Sequence, residues 1–461
     1  MKTIPTGFFD AIAGIAHSTD AAVLDVQSRD YFWYSPILAE QLRDKRCQVV
    51  VTPASQAELK RVAAACATHR LPVTVRGGGT GNYGQCVPMQ GGVVLNVTQL
   101  NRVLSVGNFE VRVEAGCLIM DLERAVRAQG YEIKMFPSTR DMATIGGFIA
   151  GGYAGAGSVR NGILKDAGNV LSIEVLTLEK TPRSITLVGA DIQKVHHAYG
   201  TNGIITALTL SLNSAVDWVH QVALFDGYSA ALRFGCAATE GVHNPASEID
   251  AFLITALERR VAPYYADAFG ERFPAGKDAV FSMVHPQALG AWRELMGAHG
   301  GTESLAMTEQ ELQAANLPPA FECAYNHTTL MALRVDRSWT NLQTVAPWQS
   351  GVGIDIALVE RQMARYGDEL LQHHEFGHQF GQCVAFGLPL VSYFDRERLY
   401  EIIAEFEADG CQVFDNHVIT IEDGGMKTID SAQIDFKRIA DPRGLMNPEK
   451  TLGWLPEYAR P

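Results

Sequence analysis

The chain contains no Cys-x-x-Cys pair, and its eight cysteines, at positions 47, 66, 86, 117, 236, 323, 383 and 411, are scattered over 461 residues. Without that spacing an iron–sulfur cluster or a structural zinc site has no ligand frame. Dispersed thiols in a large chain read as buried cysteines of a reducing compartment. Positive charge is also scarce: 38 Lys and Arg face 51 Asp and Glu, a formal net charge of −13. With no basic stripe, the balance argues against a nucleic-acid partner or an anionic membrane surface. Long apolar runs are missing too. The most membrane-like stretch, Ala143 to Gly157, is mostly Gly and Ala and too short to span a bilayer. The N-terminal segment has one early Lys, and Asp10 interrupts its apolar part, which makes a poor signal peptide. The expectation is a cytoplasmic protein without a membrane span. No repeat or low-complexity linker is visible. What is present is an ordinary globular composition, 47% apolar and 19% charged, in a chain sized for two or three domains.

The first informative stretch is a strand–helix–strand unit. Val49 to Thr52 is β-branched, Pro53 and Ser55 open a helix through Leu59, Val62, Ala63 and Cys66, and Pro72 restarts an extended segment, Val73 to Arg76. Such a unit implies parallel strands. Strands follow at 92–97, 103–106 and 111–114, then a helix from Ile119 to Gln129, strands at 171–178 and 184–188, a helix from Asp191 to near Gly200, and a strand at 204–212. From Val216 the texture changes, with helices predicted over Ser247 to Arg260 and Asp355 to His374 and a strand over Thr328 to Val335. After Gly410 come a short strand, a helix over Asp430 to Ile439, and a Pro/Gly-rich tail.

Two glycine clusters carry chemistry. Arg76-Gly77-Gly78-Gly79-Thr80-Gly81-Asn82-Tyr83-Gly84 contains G-x-G-x-x-G at Gly79, Gly81 and Gly84. A dinucleotide fingerprint should open a helix and meet an acidic residue about 20 positions on. Here Pro88, Gly91 and Gly92 lead straight into another strand, so the segment reads as a backbone nest for an anion such as a pyrophosphate. The second cluster, Ala143 to Gly157 after Pro137, Ser138 and Thr139, has little side-chain volume and suits a flat ligand lying on main chain rather than an ordinary helix or strand.

These segments resemble the vanillyl-alcohol oxidase/p-cresol methylhydroxylase (PCMH) type of FAD-binding oxidoreductases, in the glycolate-oxidase-D-like branch. Four matches run in order. Residues 49–53 with 72–81 resemble the pyrophosphate loop and its lead-in. Pro137 with Thr144, Ile145, Gly146, Gly147, Phe148, Ile149, Ala150 and Gly151 resembles the stretch along the isoalloxazine. Gly200, Asn202, Gly203, Ile204 and Ile205 resemble the G-x-x-G-x-I-T segment. Asp441 to Lys450 resembles the C-terminal DPxGxxNPGK, with Glu449 in place of its second glycine. The resemblance implies an α+β fold: a PCMH-type FAD module of two α/β subdomains over 1–215, a substrate cap over 216–410, and a segment 411–461 returning to the FAD module. Family members with covalent flavin often carry a His in or beside the loop; residues 76–84 have none, so non-covalent FAD is expected. The branch's F-G-H-x-G-D-G-N-x-H and E-H-G motifs survive only as His378 and His417 without their acidic partners, so no metal is expected.

The implied reaction is oxidation of a hydroxyl-bearing carbon, in a 2-hydroxy acid or an alcohol, with hydride passing to flavin N5 while a base removes the hydroxyl proton. Arg334 or Arg337 is placed to clamp a carboxylate. The candidate bases are His417, His378 and His327, and His417 leads because Cys411 to Gly425 must cross the cleft on its return. His373 and His374 are expected at a helix end, and His196 and His197 at the surface or at the end of the helix before Gly200. Two alternatives stay open: a flavin-dependent transferase without net redox, resembling alkyl-dihydroxyacetonephosphate synthase relatives, and a flavin-binding module without catalysis. The expected partner is a small-molecule substrate; the electron acceptor and any self-association are left open.

Overall fold

A computed structural model describes residues 3–459. The predicted strand–helix–strand unit forms: Val49–Thr52 and Val73–Arg76 flank Val93–Asn96, all parallel, and Ala16–Ser18 adds an antiparallel edge. Ser55 caps the helix Gln56–His69, its hydroxyl accepting from the Glu58 amide, and Leu59, Val62, Ala63 and Cys66 seat that helix on the sheet. A second, antiparallel sheet runs Val103–Gly107, Glu110–Glu114, Ile204–Ser214, Val170–Leu176, Ser184–Val188, with Tyr131–Ile133 paired at one end of the long strand. The third sheet has eight antiparallel strands, with Thr302–Thr308 and Gln412–Phe414 at its edges and Ala251–Leu257 beside His373–Gln379 at its centre. Helix Tyr228–His243 covers one face of that sheet, and the other face shares a core with the second sheet through Phe136, Phe252 and Phe321. The fold is α+β.

The chain end is stitched into the first sheet. Val73 donates to the Leu445 carbonyl and Asn447 donates to the Val73 carbonyl. Behind them the buried Lys437 ammonium lies 2.8 Å from Asp441 and 2.6 Å from the Thr201 carbonyl, while Asp441 also accepts from the Leu445 and Met446 amides. A buried ion pair persists where such extra bonds satisfy both charges.

Several sequence expectations change. Ser247 to Arg260 is no helix; Ala251–Leu257 is a strand buried along all seven residues, and an apolar run without alternation carries no period that separates the two states. Thr328 to Val335 belongs to a helix, Asn326–Val335, in which the Thr328 hydroxyl bonds Tyr265 and the Cys323 carbonyl; tertiary partners override the β-branched preference. The helix predicted to run to His374 stops at Tyr366, and His373 and His374 lie buried on a strand. The helix expected from Asp191 is a 3-10 segment, Gly189–Lys194. The glycine run does form a short helix, Ile145–Gly151, capped by Thr144. Among the described residues no helix is long and apolar enough to cross a membrane.

His196 and His197 are buried rather than superficial: the His197 ring nitrogen Nδ1 sits 2.9 Å from the Gly152 carbonyl. Burial lowers the pKa of His197, His220 and His417 to about 4, that of His374 to about 3, and that of His196 as well. The unfolded chain, with histidines near 6.5, therefore binds more protons below that pH. The stability these neutral rings contribute is complete above about pH 6.5 and is lost as pH falls towards 4. The urea midpoint should drop steadily between pH 7 and pH 4.5, and a flat midpoint would contradict this account.

Candidate active site

The strand Val73–Arg76 ends in the glycine loop at the carboxyl edge of the parallel sheet, the edge at which such sheets form ligand crevices. Three of its glycines have no room for a side chain. A Cβ on Gly77 would lie 2.0 Å from Thr144 Oγ1, one on Gly78 2.0 Å from the Met142 carbonyl, and one on Gly79 2.0 Å from the Arg76 guanidinium. Gly79 also sits at φ +67°. The Arg76 side chain turns back beneath the loop to the Arg29 carbonyl and to Cys86 Sγ, 3.2 Å away, so it braces the loop from behind.

Opposite, Thr144 accepts from the Gly147 amide and starts the glycine helix, whose Gly146 is pressed against Ala115. The third element is the turn at Tyr199 and Gly200, both at positive φ, which is held to the helix by the Tyr199 amide on the Ala150 carbonyl. Asn447 ties the end of the loop to the turn, its Nδ2 donating to the carbonyls of Gln85 and Tyr199 at 2.7 and 2.5 Å, and Gln85 Nε2 in turn donates to the Gly151 carbonyl of the helix at 3.0 Å.

These elements wall a cavity of about 480 Å³. Of the residues expected to hold cofactor, Gly77 to Tyr83, Pro137, Ser138, Thr139, Thr144, Gly146, Gly147, Ala150, Gly151, Gly200, Gly203 and Ile205 line it. Arg76, Gly84, Asn202 and Ile204 do not. Gly84 closes on Leu42 at φ +69°, Asn202 Nδ2 ties the turn to the Lys194 and Gln433 carbonyls, and Ile204 is in the core of the first sheet.

Residues 322–344 supply a further wall, including Glu322, Tyr325, Asn326, His327, Arg334 and Gln343. Among the described residues, buried Asn326 Oδ1 and Gln343 Oε1 have no hydrogen-bond partner, which suits a polar ligand reaching this wall. Of the three candidate bases only His327 is on the wall. Its Nδ1 is 3.2 Å from the Glu322 carbonyl, and because a carbonyl only accepts, the ring proton belongs on Nδ1 and the lone pair on Nε2. Burial lowers this ring to about 4, so it is neutral at pH 7.

His417 is off the wall, which corrects the leading expectation: it is buried, with Nδ1 2.8 Å from Ser35 Oγ. Its segment does border the cleft, but through Phe414 and Met426. His378 is off the wall as well, stacked on His243 with ring centroids 3.9 Å apart. Arg334 lines the cavity, whereas Arg337 is off the wall and lies 4.6 Å over the Trp33 ring. Tyr31, Tyr34, Gln85 and Tyr325 also line the cavity. Sequence reasoning passed over them because isolated aromatic and amide residues carry no spacing signal. Among the described residues no group of three or more His, Cys, Asp or Glu is arranged to hold a metal.

Residues 47–181 match a family model described as an FAD binding domain. D-lactate dehydrogenase of Anaerostipes hadrus is 31% identical over 179 residues, 36% of this chain and 36% of that protein. The glycolate oxidase subunit GlcD of Bacillus subtilis (strain 168) is 29% identical over 172 residues, 35% of this chain and 36% of the relative. The aligned part is thus 36% of those relatives' own length. Among solved structures, an alkyldihydroxyacetonephosphate synthase superposes with a TM-score of 0.73 at 13% identity, covering 97% of this chain and 86% of that one. A variant of Physcomitrella patens BBE-like 1 gives 0.65 at 13% identity, covering 97% and 100%. Those two likenesses are of fold alone. Residues 47–181 thus match an FAD binding domain, and the glycine-lined part of the cavity wall within them fits that cofactor.

One substitution tests the cradle. Gly78→Ala drives a methyl into the Met142 carbonyl; overpacking of this kind costs about 1–3 kcal/mol. Flavin affinity should fall at least about tenfold, read as the 450-to-280 nm absorbance ratio of the purified protein. Gly290→Ala, at a helical position with open space around it, should leave the ratio unchanged.

Proposed function

We propose that this FAD-binding oxidoreductase oxidises a hydroxyl-bearing carbon of a small anionic substrate, a 2-hydroxy acid, with His327 as the base. The observation that carries this reading is the neutral His327 ring on the cap wall, oriented through Nδ1 by the Glu322 carbonyl so that Nε2 is free to accept. Bound flavin supplies the hydride acceptor. His327 takes the hydroxyl proton as the carbon loses hydride, and the product is the carbonyl compound. Arg334 on the wall offers a guanidinium to the substrate carboxylate, and the unpaired oxygens of Asn326 and Gln343 offer acceptors for further hydroxyls. The names of the two relatives point to the same substrate class, D-lactate for one and glycolate for the other.

The cofactor in this reading is non-covalent. The loop has no histidine, and Cys86, the cavity's thiol, is pushed up to about 12 by burial and so is not a nucleophilic thiolate. Acid precipitation should release the yellow colour into the supernatant; flavin that stays with the pellet overturns this part.

The reaction is tested by anaerobic mixing with a panel of 2-hydroxy acids and alcohols while the flavin band is followed. A hydroxy acid should bleach it, and absence of bleaching across the panel favours chemistry without net redox. In His327→Ala, flavin content should stay near wild type while bleaching slows at least about 100-fold, the usual scale for a lost general base. Because the deprotonated ring is the active form and its pKa lies near 4, the wild-type rate should be level above about pH 6 and fall as pH drops through 4.

A further inference from the structure

The cavity wall that carries Asn326 and His327 begins in a backbone shape that its sequence does not favour. Tyr325 sits at φ 52°, ψ −137°, and the His327 amide donates to the Ala324 carbonyl at 3.2 Å. This is a tight turn of the type II′ kind, whose first central position is normally glycine. A tyrosine is held there by its surroundings. Its amide donates to Glu375 Oε1 at 2.6 Å, and its hydroxyl donates to the Gly155 carbonyl of the FAD module at 2.7 Å. Glu375 is fully buried on the strand His373–Gln379. Its Oε1 also meets His373 Nε2 at 2.6 Å, and its Oε2 accepts from the Thr255 hydroxyl at 2.5 Å across the strand pair. Strained non-glycine backbone persists only where neighbouring groups over-determine it, and it gathers where a site must be pre-organised.

We infer that Glu375 is a positioning residue for this site: its buried carboxyl holds Tyr325 in a glycine-like turn and thereby sets where Asn326 and His327 stand in the cavity. Glu375 touches no ligand; it acts through the Tyr325 amide. The role rests on the proposed oxidation only where a rate is read, because the turn itself can be observed without substrate.

The test uses the flavin-loaded full chain with Glu375→Met, which keeps volume but loses the acceptors, and Glu375→Gln, whose amide oxygen still accepts from Tyr325 while its NH2 turns to Thr255. Each is made in the wild-type and the Tyr325→Gly background. The substrate-free readout is amide hydrogen exchange of the peptide covering residues 324–335. Exchange should rise at least about tenfold in Glu375→Met and stay within about twofold of wild type in Glu375→Gln. In the glycine background Glu375→Met should add less than about twofold, because glycine holds the turn unaided.

With a bleaching hydroxy acid from the panel, Glu375→Met should lower the limiting bleaching rate about 10- to 100-fold, with a much smaller change in the half-saturating concentration. An equal exchange increase in both backgrounds, or none in either, overturns the proposal. If no panel member bleaches the flavin, the functional reading fails and the exchange result still decides the role of Glu375. If Glu375→Met yields no flavin-loaded protein even with Tyr325→Gly, Glu375 supports the cap as a whole and the proposal is overturned as well.

Discussion

Everything in the cleft depends on the close approach of the glycine loop to residues 142–144, with no room for a side chain on Gly77 or Gly78. Gly77 meets the Thr144 hydroxyl and Gly78 meets the Met142 carbonyl at separations that a methyl would fill. The contact joins the carboxyl edge of the parallel sheet to the start of the glycine helix, and so it fixes the distance between the loop and the wall on which a flat ring system lies. Glycine here is a matter of space before it is a matter of conformation. The helix is short, and it is kept in place by the Thr144 cap, by carbonyls of its neighbours and by Ile145, Phe148 and Ile149, which pack into the core on its far side.

The cap contributes in a different way. Where the glycine segments offer main chain, residues 326–343 offer amides, a neutral imidazole and a guanidinium, carried on one helix and on the strand Gln343–Val345. The two parts are fastened by polar contacts at the rim of the cavity: Tyr325 to Gly155, Tyr153 to Gln379, and Thr340 to the Tyr34 carbonyl. These bonds occupy groups that would otherwise be desolvated without partners, which is costly. The same low-polarity surroundings keep His327 neutral and able to accept a proton.

What could be read from the residues alone follows from this division. The glycine loop, the Thr144 stretch, the Gly200 turn and the Asp441 to Lys450 tail are legible because close approach to main chain dictates residue type position by position. The cap is not. Its strand Ala251–Leu257 is buried on both faces and so shows no period, and in its helix Asn326–Val335 the Thr328 hydroxyl finds its partners, Tyr265 and the Cys323 carbonyl, only in the folded protein. His417 illustrates the limit of inferring place from path. The returning segment does border the cavity, but a turn stabilised by the Asp415 carboxyl on the His417 amide aims the ring at Ser35. The Tyr325 turn was hidden for the opposite reason, because a tyrosine gives no sign of a glycine's conformation.

The stitched chain end has a consequence for biogenesis. Thr74 and Asn447 are hydrogen-bonded across 373 positions, and Asn447 is also what ties Gln85 to Tyr199 beneath the cavity. A ribosome exposes the first sheet long before it makes the residues that close it; at roughly 5–20 residues per second the gap is on the order of tens of seconds. During that interval the nascent FAD module has an unpaired edge at Val73 and an unlocked Tyr199 turn, while the cap strands emerge and can pair among themselves. The edge at Val73 and the Tyr199 turn are therefore closed only once residues 445–447 have emerged, and until then the nascent chain carries an open sheet edge.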